Sequence, residues 1–271
     1  MVTLLCPVCG QPLHKTEKNY VCSGRHSFDI AKSGYVNLLL NSSQGHHGDD
    51  KLMVRARRDF LDKGYYDPLA QEIASACALY APQECVIVDA GCGEGKYTAD
   101  ILHALQDAGK SPEIVGVDIS KDALSYAARR SRSFTLAVAS VSHLPLADAS
   151  ADEVLNLFSP YVPEEFARVL KAGGKLVRVY PLERHLWELK ALVYDRPYEN
   201  PPTPLQTAGF RILETREVRY AAHLPCCEDI MALFRMTPYY YKTSRADQQK
   251  AETAQELDVT LSFGVTVYEK H

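Results

Sequence analysis

No apolar run in this 271-residue chain approaches the roughly 20 residues that span a bilayer, so no ordinary membrane-crossing helix is expected. The first residues, MVTLLCPVCG, have neither the basic start nor the long apolar stretch of a secretion signal, and a cytoplasmic protein is the expectation. No internal repeat or low-complexity linker is visible, which argues against a solenoid or array. A strong charge of either sign is missing too: 30 Lys and Arg stand against 34 Asp and Glu, for a net charge of −4. That figure alone disfavours a nucleic-acid partner, but its distribution does not. Residues 1–63 carry nine Lys and Arg against six Asp and Glu, a local +3, while the remainder carries −7. Phosphate contacts should therefore concentrate at the front of the chain. With 46% apolar residues, a large buried core plus one small domain is the natural arrangement.

The small domain is legible in the cysteines. Cys6 and Cys9 form Cys-Pro-Val-Cys-Gly, and Cys22 and His26 follow in CSGRH. Two short turns, each presenting a pair of soft ligands, suit a tetrahedral Cys3His zinc site with no open position, hence structural and not catalytic. Disulfides fit poorly in a chain with no export signal. Such a site would hold some 40 residues too few to fold by burial alone. The remaining cysteines, Cys77, Cys85, Cys92 and the adjacent Cys226–Cys227, read as core or surface thiols. His46 and His47, in a Gly/Ser-rich loop, read as solvated. A helix should start at Asp49 or Asp50, with Met53, Ala56 and Phe60 as its apolar stripe. Its other face, Lys51, Arg55, Arg57 and Arg58, is either a solvated surface or an RNA-backbone contact.

The large domain is organised around Val86–Gly95, VIVDAGCGEG. Three apolar residues suggest a strand buried on both faces. Asp89 ends the run, Gly91, Gly93 and Gly95 follow at alternate positions, and a helical pattern begins. A dinucleotide fingerprint would need its third glycine at position 96, which is Lys96. The pattern instead resembles the first motif of S-adenosylmethionine-dependent methyltransferases of Rossmann-like fold. Asp89, Gly91, Gly93, Glu94 and Gly95 are then candidate cofactor contacts. Ile114–Ile119 reads as the next strand, placing Asp118 to accept ribose hydroxyls or to cap a helix. Phe134–Ser140 is a third strand, and Ser140 stands where the superfamily usually has an aspartate near the adenine. Asp152–Phe158 is a fourth, ending in Phe-Ser-Pro-Tyr, followed by a helix from Pro163, a strand Lys175–Tyr180 and a late antiparallel strand Asp258–Tyr268. Alternation of strand and helix implies a parallel sheet with helices on both faces, and the likeness to Rossmann-like methyltransferases implies an α/β fold with a seven-stranded mixed sheet. Between these lies an insertion with a helical stripe, Leu186, Leu189, Leu192 and Val193. Tyr239–Tyr241 with Lys242 could stack a base or pack on the sheet.

The combination CPVCG…C-x3-H-x-FD-x-AK-x-GYVNLL, GDDKLMVRARRDFLDKGYYDPL and VDAGCGEG resembles the guanine-N1 methyltransferases of large-subunit (23S) ribosomal RNA, a family that includes macrolide-resistance enzymes. The resemblance covers most of the chain. It implies that Cys6, Cys9, Cys22 and His26 bind zinc, that Tyr66 touches the cofactor, and that His185 in Arg-His-Leu-x-Glu-Leu-Lys does the same. It further implies a zinc-knuckle RNA-recognition domain over 1–40, a linker and helical segment over 41–80, and a methyltransferase domain over 81–271.

The expected reaction moves a methyl group from S-adenosylmethionine to N1 of a guanine in a hairpin of 23S rRNA. Guanine N1 carries a proton and points into a base pair, so the base must leave its stack and lose that proton. Phe158–Tyr161 lacks the Asn or Asp that exocyclic-amino methyltransferases place there, which agrees with a ring nitrogen as target. Glu183 and His185 are candidate proton acceptors on position alone. A homodimer would enlarge a small RNA footprint. The alternatives are a methyltransferase of small molecules, which leaves the knuckle without a role, and a zinc-ribbon binding protein with a decayed core.

Overall fold

The computed structural model describes residues 2–40 and 50–271; His46, His47 and Asp49 lie outside the described residues. The chain opens with β1 (Leu13–Lys15), β2 (Asn19–Cys22) and β3 (Ser27–Asp29), a three-stranded antiparallel sheet in that order. These strands are too short to bury a core of their own. Only alternate residues such as Leu13, Tyr20 and Cys22 are buried, and they face Val36, Leu38 and the large sheet.

The large sheet has eight strands: β4 (Tyr35–Asn37), β5 (Glu84–Ala90), β6 (Ser111–Asp118), β7 (Thr135–Val138), β8 (Ala151–Leu157), β9 (Leu170–Pro181), β10 (Phe210–Leu224) and β11 (Leu257–Lys270). Their spatial order is β10-β11-β9-β8-β5-β6-β7-β4. The expected count of seven is corrected by β4. The GYVNLL segment, read as part of the knuckle, lies parallel to β7 and occupies its outer edge, where β7 otherwise has unpaired N–H and C=O groups. From β4 to β9 every pairing is parallel, and β11 alone runs antiparallel to both neighbours. Parallel strands need both faces covered, and Ile87, Val88 and Ala90 are accordingly buried without exception.

Helices α1 (Lys51–Leu61), α2 (Asp67–Tyr80), α3 (Lys96–Asp107), α4 (Lys121–Arg130), α5 (Pro163–Val169), α6 (Trp187–Val193), α7 (Cys227–Arg235) and α8 (Arg245–Thr253) complete the described fold. Asp50 caps α1 by accepting from the Met53 amide at 2.8 Å. Phe60, Leu69, Ile73, Ile101 and Leu105 pack on one sheet face, while Phe166, Val169 and the knuckle's Leu4 and Leu13 pack on the other. The knuckle is tied to the core in its backbone as well. The Leu5 amide donates to Pro145 O at 2.9 Å, and the Leu38 amide donates to Val138 O at 3.0 Å.

Strand β5 has β6 on one side and β8 on the other, although the chain visits β6 and β7 before returning to β8. The order of winding thus reverses between β5 and β8. Their connecting loops diverge there, and a crevice opens at the carboxyl ends of these two strands.

Candidate active site and metal centre

Cys6, Cys9, Cys22 and His26 converge at the tip of the knuckle, with their ligand atoms all within 4.8 Å of one another. Cys9 Sγ lies 3.6 Å from Cys22 Sγ, and His26 Nδ1 lies 3.3 Å from Cys22 Sγ and 3.6 Å from Cys6 Sγ. Ligand atoms each about 2.3 Å from one zinc stand roughly 3.7 Å apart in a tetrahedron, so four soft donors at these spacings fit the ion. None of the eight cysteines is in a disulfide. The two turns do this work locally: the Gly10 amide donates to Cys6 O at 2.8 Å, and the Arg25 amide donates to Cys22 O at 2.9 Å.

In the crevice lies a cavity of about 680 Å³, large enough for a nucleoside-sized ligand. The glycine loop forms its floor. Amides of Gly91 and Cys92 both donate to Val117 O, at 2.8 and 3.0 Å, which ties the loop to the end of β6. Gly91 (φ +97°) leaves no room for a Cβ, because the Ser159 side chain fills that space. Gly95 (φ +82°) lets α3 approach Ala127 of α4. The residues along the loop divide by role: Glu94 is buried with its carboxylate turned to the Arg130 guanidinium and the Lys96 amide, bracing the loop from behind. Asp118 accepts from the Gly93 amide at 2.9 Å and from the Ser120 amide at 2.8 Å, linking the loop to the start of α4. Ser120, not Asp118, caps that helix.

Asp89 is the electrostatic centre of the floor. It is 1% exposed; Oδ2 accepts from Thr98 Oγ1 at 2.6 Å, while Oδ1 has no hydrogen-bond partner. Burial pushes its carboxyl up to about 7, with the Asp118 charge adding to the shift and the Thr98 bond opposing it. An orphaned carboxylate oxygen in a cavity wall suits a ligand that carries a cation, as the ammonium and sulfonium of S-adenosylmethionine do.

The remaining expected contacts fall in the same cavity. Tyr66 lines it, packed edge-on against Phe60 and Phe263 at 5.4 and 5.1 Å between centroids. Ser140 lines the end over β7, its hydroxyl 3.0 Å from that of Ser142. His185 forms part of the opposite wall. Its Nδ1 accepts from the Ser262 amide at 3.2 Å, leaving Nε2 to carry the hydrogen. Burial, with the Lys190 charge second, lowers its pKa to about 3. A neutral imidazole held this way presents its Nε2–H as a donor. Glu183 lies outside the cavity lining, and its backbone carbonyl accepts from the Asn200 amide at 2.7 Å.

Three features went unread in the sequence. Arg57 lines the cavity beside Gly93, whereas its neighbours stay outside: Arg58 stacks on Tyr126 at 4.6 Å and Arg55 pairs with Asp59 at 3.6 Å. The basic helix face therefore splits in two. Lys190, fully buried, donates to Asn200 Oδ1 at 2.7 Å and Tyr198 O at 3.0 Å. Asn200 in turn accepts from Tyr239 Oη at 2.9 Å, which fixes the one tyrosine of the triplet that lines the cavity. Tyr240 packs on Phe234 instead. Finally, Phe158, at the carboxyl end of the fourth strand where the sequence places the reaction site, lines the cavity with an unforeseen φ of +61°.

Two family models match the chain: the zinc ribbon "RlmA, N-terminal" over residues 4–41 and "Methyltransferase domain" over residues 87–174. Among similar proteins is the 23S rRNA (guanine(748)-N(1))-methyltransferase of Streptomyces fradiae, 40% identical over 191 residues, with 69% of this chain and 66% of that one covered. Two others carry the name "Putative 23S rRNA (guanine-N(1)-)-methyltransferase". The protein of Micromonospora griseorubida is 40% identical over 207 residues, covering 69% of this chain and 68% of its own. YxjB of Bacillus subtilis (strain 168) is 30% identical over 271 residues, covering 97% and 95%.

Proposed function

The chain belongs to the family of 23S rRNA guanine-N1 methyltransferases, and from that premise we propose that it methylates N1 of a guanine in a hairpin of 23S rRNA. The carrying observation is one cavity at the β5/β8 crevice, floored by the glycine loop and Asp89, in a chain whose Cys3His knuckle packs into the same core. S-adenosylmethionine supplies the methyl group as an electrophilic carbon on a sulfonium, and the products are S-adenosylhomocysteine, 1-methylguanine and a proton.

The chain's own residues bind and orient. Asp89 takes the ammonium of the cofactor, Asp118 the ribose hydroxyls through its remaining lone pairs, and Ser140 the adenine end. The loop Gly91, Gly93 and Gly95 gives the backbone its close approach, with Glu94 holding it through Arg130. Tyr66 and the Nε2–H of His185 close the wall. In-line displacement needs donor and acceptor aligned within a small angle, and a rigid floor and wall supply that alignment. The zinc knuckle over residues 1–40, joined through 41–80 to the methyltransferase domain of 81–271, supplies the RNA grip, with Lys51 and Arg55 of α1 as further exposed cations. No described helix is long and apolar enough to cross a membrane. A cytoplasmic homodimer is the assembly this reading favours, because one knuckle offers a small footprint.

The test is nucleoside mapping by mass spectrometry after incubating unmodified 23S rRNA with the protein and labelled S-adenosylmethionine. One new 1-methylguanosine in one hairpin is expected. Stripping zinc with a chelator should abolish RNA labelling while cofactor binding by calorimetry persists. Cofactor binding without any RNA label, with zinc present, would favour the small-molecule alternative.

A further inference from the structure

The cavity has two halves. Over β6 and β7 it is walled by Asp118, Ile119 and Ser140; over β8 and β9 it is walled by Phe158, Pro181 and His185. The glycine loop ends the first half, and Ser159, pressed against Gly91, begins the second. Phe158 therefore stands at the seam, on the side that a nucleoside bound over β6 and β7 leaves open.

Its backbone conformation is unusual. Left-handed φ is uncommon for any residue with a Cβ and an outlier for a bulky aromatic. The surroundings over-determine the turn. Buried Asn156 donates from Nδ2 to Ser159 Oγ at 2.6 Å, Ser159 O at 3.1 Å and Pro160 O at 3.2 Å, and Ser159 Oγ donates to Ala90 O. Strain held this firmly at a cavity points to use. The residue is 45% exposed, although the rings of Phe263 and Tyr97 stand 5.7 and 6.4 Å from its own. Glycine or asparagine would suit the backbone better. What phenylalanine adds is a flat apolar surface turned to the open half of the cavity.

We infer that the Phe158 ring is the surface on which the target guanine stacks after leaving its helix. The inference rests on the RNA methyltransferase reading above and assigns that reading a substrate contact. A base pulled from a duplex loses its stacking neighbours, and an aromatic face restores one of them.

The experiment compares F158W, F158L and F158A in the full-length zinc-loaded protein. It measures kcat/KM for unmodified 23S rRNA and, by calorimetry, affinity for S-adenosylmethionine. F158W should stay within a few-fold of the parent, while F158L and F158A fall roughly 10- to 100-fold with cofactor affinity unchanged. F158G controls for folding: it should melt above F158A, because φ +61° suits glycine, yet transfer as poorly. Full transfer by F158A, or a parallel loss of cofactor affinity, overturns the inference alone. Absence of RNA labelling by the parent protein overturns the underlying reading and the inference with it.

Discussion

Asp89 on β5 and Glu153 on β8 are buried carboxylates on neighbouring strands, with Glu153 opposite Ile87 and Asp89 opposite Leu155. Both are almost wholly inaccessible, and burial raises both pKa values, Asp89 to about 7 and Glu153 to about 8. Asp89 leaves one oxygen without a hydrogen bond and Glu153 leaves two. The difference lies in what faces them. Asp89 lines the cavity at the carboxyl ends of the strands, whereas Glu153 points among packed residues beside the Cys77 thiol. Burial is the main source of both shifts; a void shaped for a cation turns one of them into a binding group. A perturbed carboxyl without such a void is a stability cost.

The largest effect that would sharpen this contrast is on cofactor affinity. Asp89→Asn should weaken S-adenosylmethionine roughly 10- to 100-fold by calorimetry, the size of one charge-assisted hydrogen bond. Parent affinity should fall as pH drops below about 7, because the carboxyl must be ionised to meet an ammonium, and the variant should lack that slope. Unchanged affinity in Asp89→Asn would erase the distinction between the two acids.

Next comes Gly91→Ala, which sets a Cβ against Ser159 at a φ of +97°. It should cost about 2 kcal/mol in denaturant unfolding and weaken cofactor binding together. A stable variant with intact binding would show that the loop and the Phe158 turn are not locked to each other.

The smallest effect is at Glu153. Its raised pKa means that the protonated side chain is tolerated, so its contribution is fully present below about 4.5 and is lost as pH rises through 8. Glu153→Leu should stabilise the protein by ~1–2 kcal/mol at pH 8 and by less at pH 5, with methyl transfer untouched. Loss of transfer in that variant would give Glu153 a role its surroundings do not suggest.

Much of the site was legible because local spacing dictates it. Cysteine pairs separated by two residues, and glycines at alternate positions after a buried strand, define geometry within a turn. Asp118 follows from the length of one helix and one strand. Features that depend on tertiary packing were not readable. The sign of φ at Phe158 is imposed by Asn156 and Ser159, and nothing in Phe-Ser-Pro-Tyr announces it. Arg57 has the same helical surroundings as Arg55 and Arg58 and differs only in facing Gly93. The tautomer of His185 is set by an amide 77 positions away. The longest described strand, β10, escaped notice although Val218, Tyr220, Ala222 and Leu224 alternate with the exposed Arg219, Ala221 and His223; the charged run Glu214–Glu217 before them on this edge strand masks the pattern. Strand β4 was visible as GYVNLL, but which sheet it joins is decided by the edge that β7 leaves open.

That last pairing bears on how the protein can be cut. Removing the knuckle at residue 40 or beyond also removes Tyr35–Asn37, leaving Tyr35's partner Leu136 and its neighbours as an unshielded margin of the large sheet. Bare strand margins recruit strands from other molecules, so such a truncate is expected to self-associate. Its failure to act on RNA would then report precipitation as readily as a lost grip. Single-ligand variants such as Cys9→Ser, which leave the β4–β7 seam closed, separate those two causes.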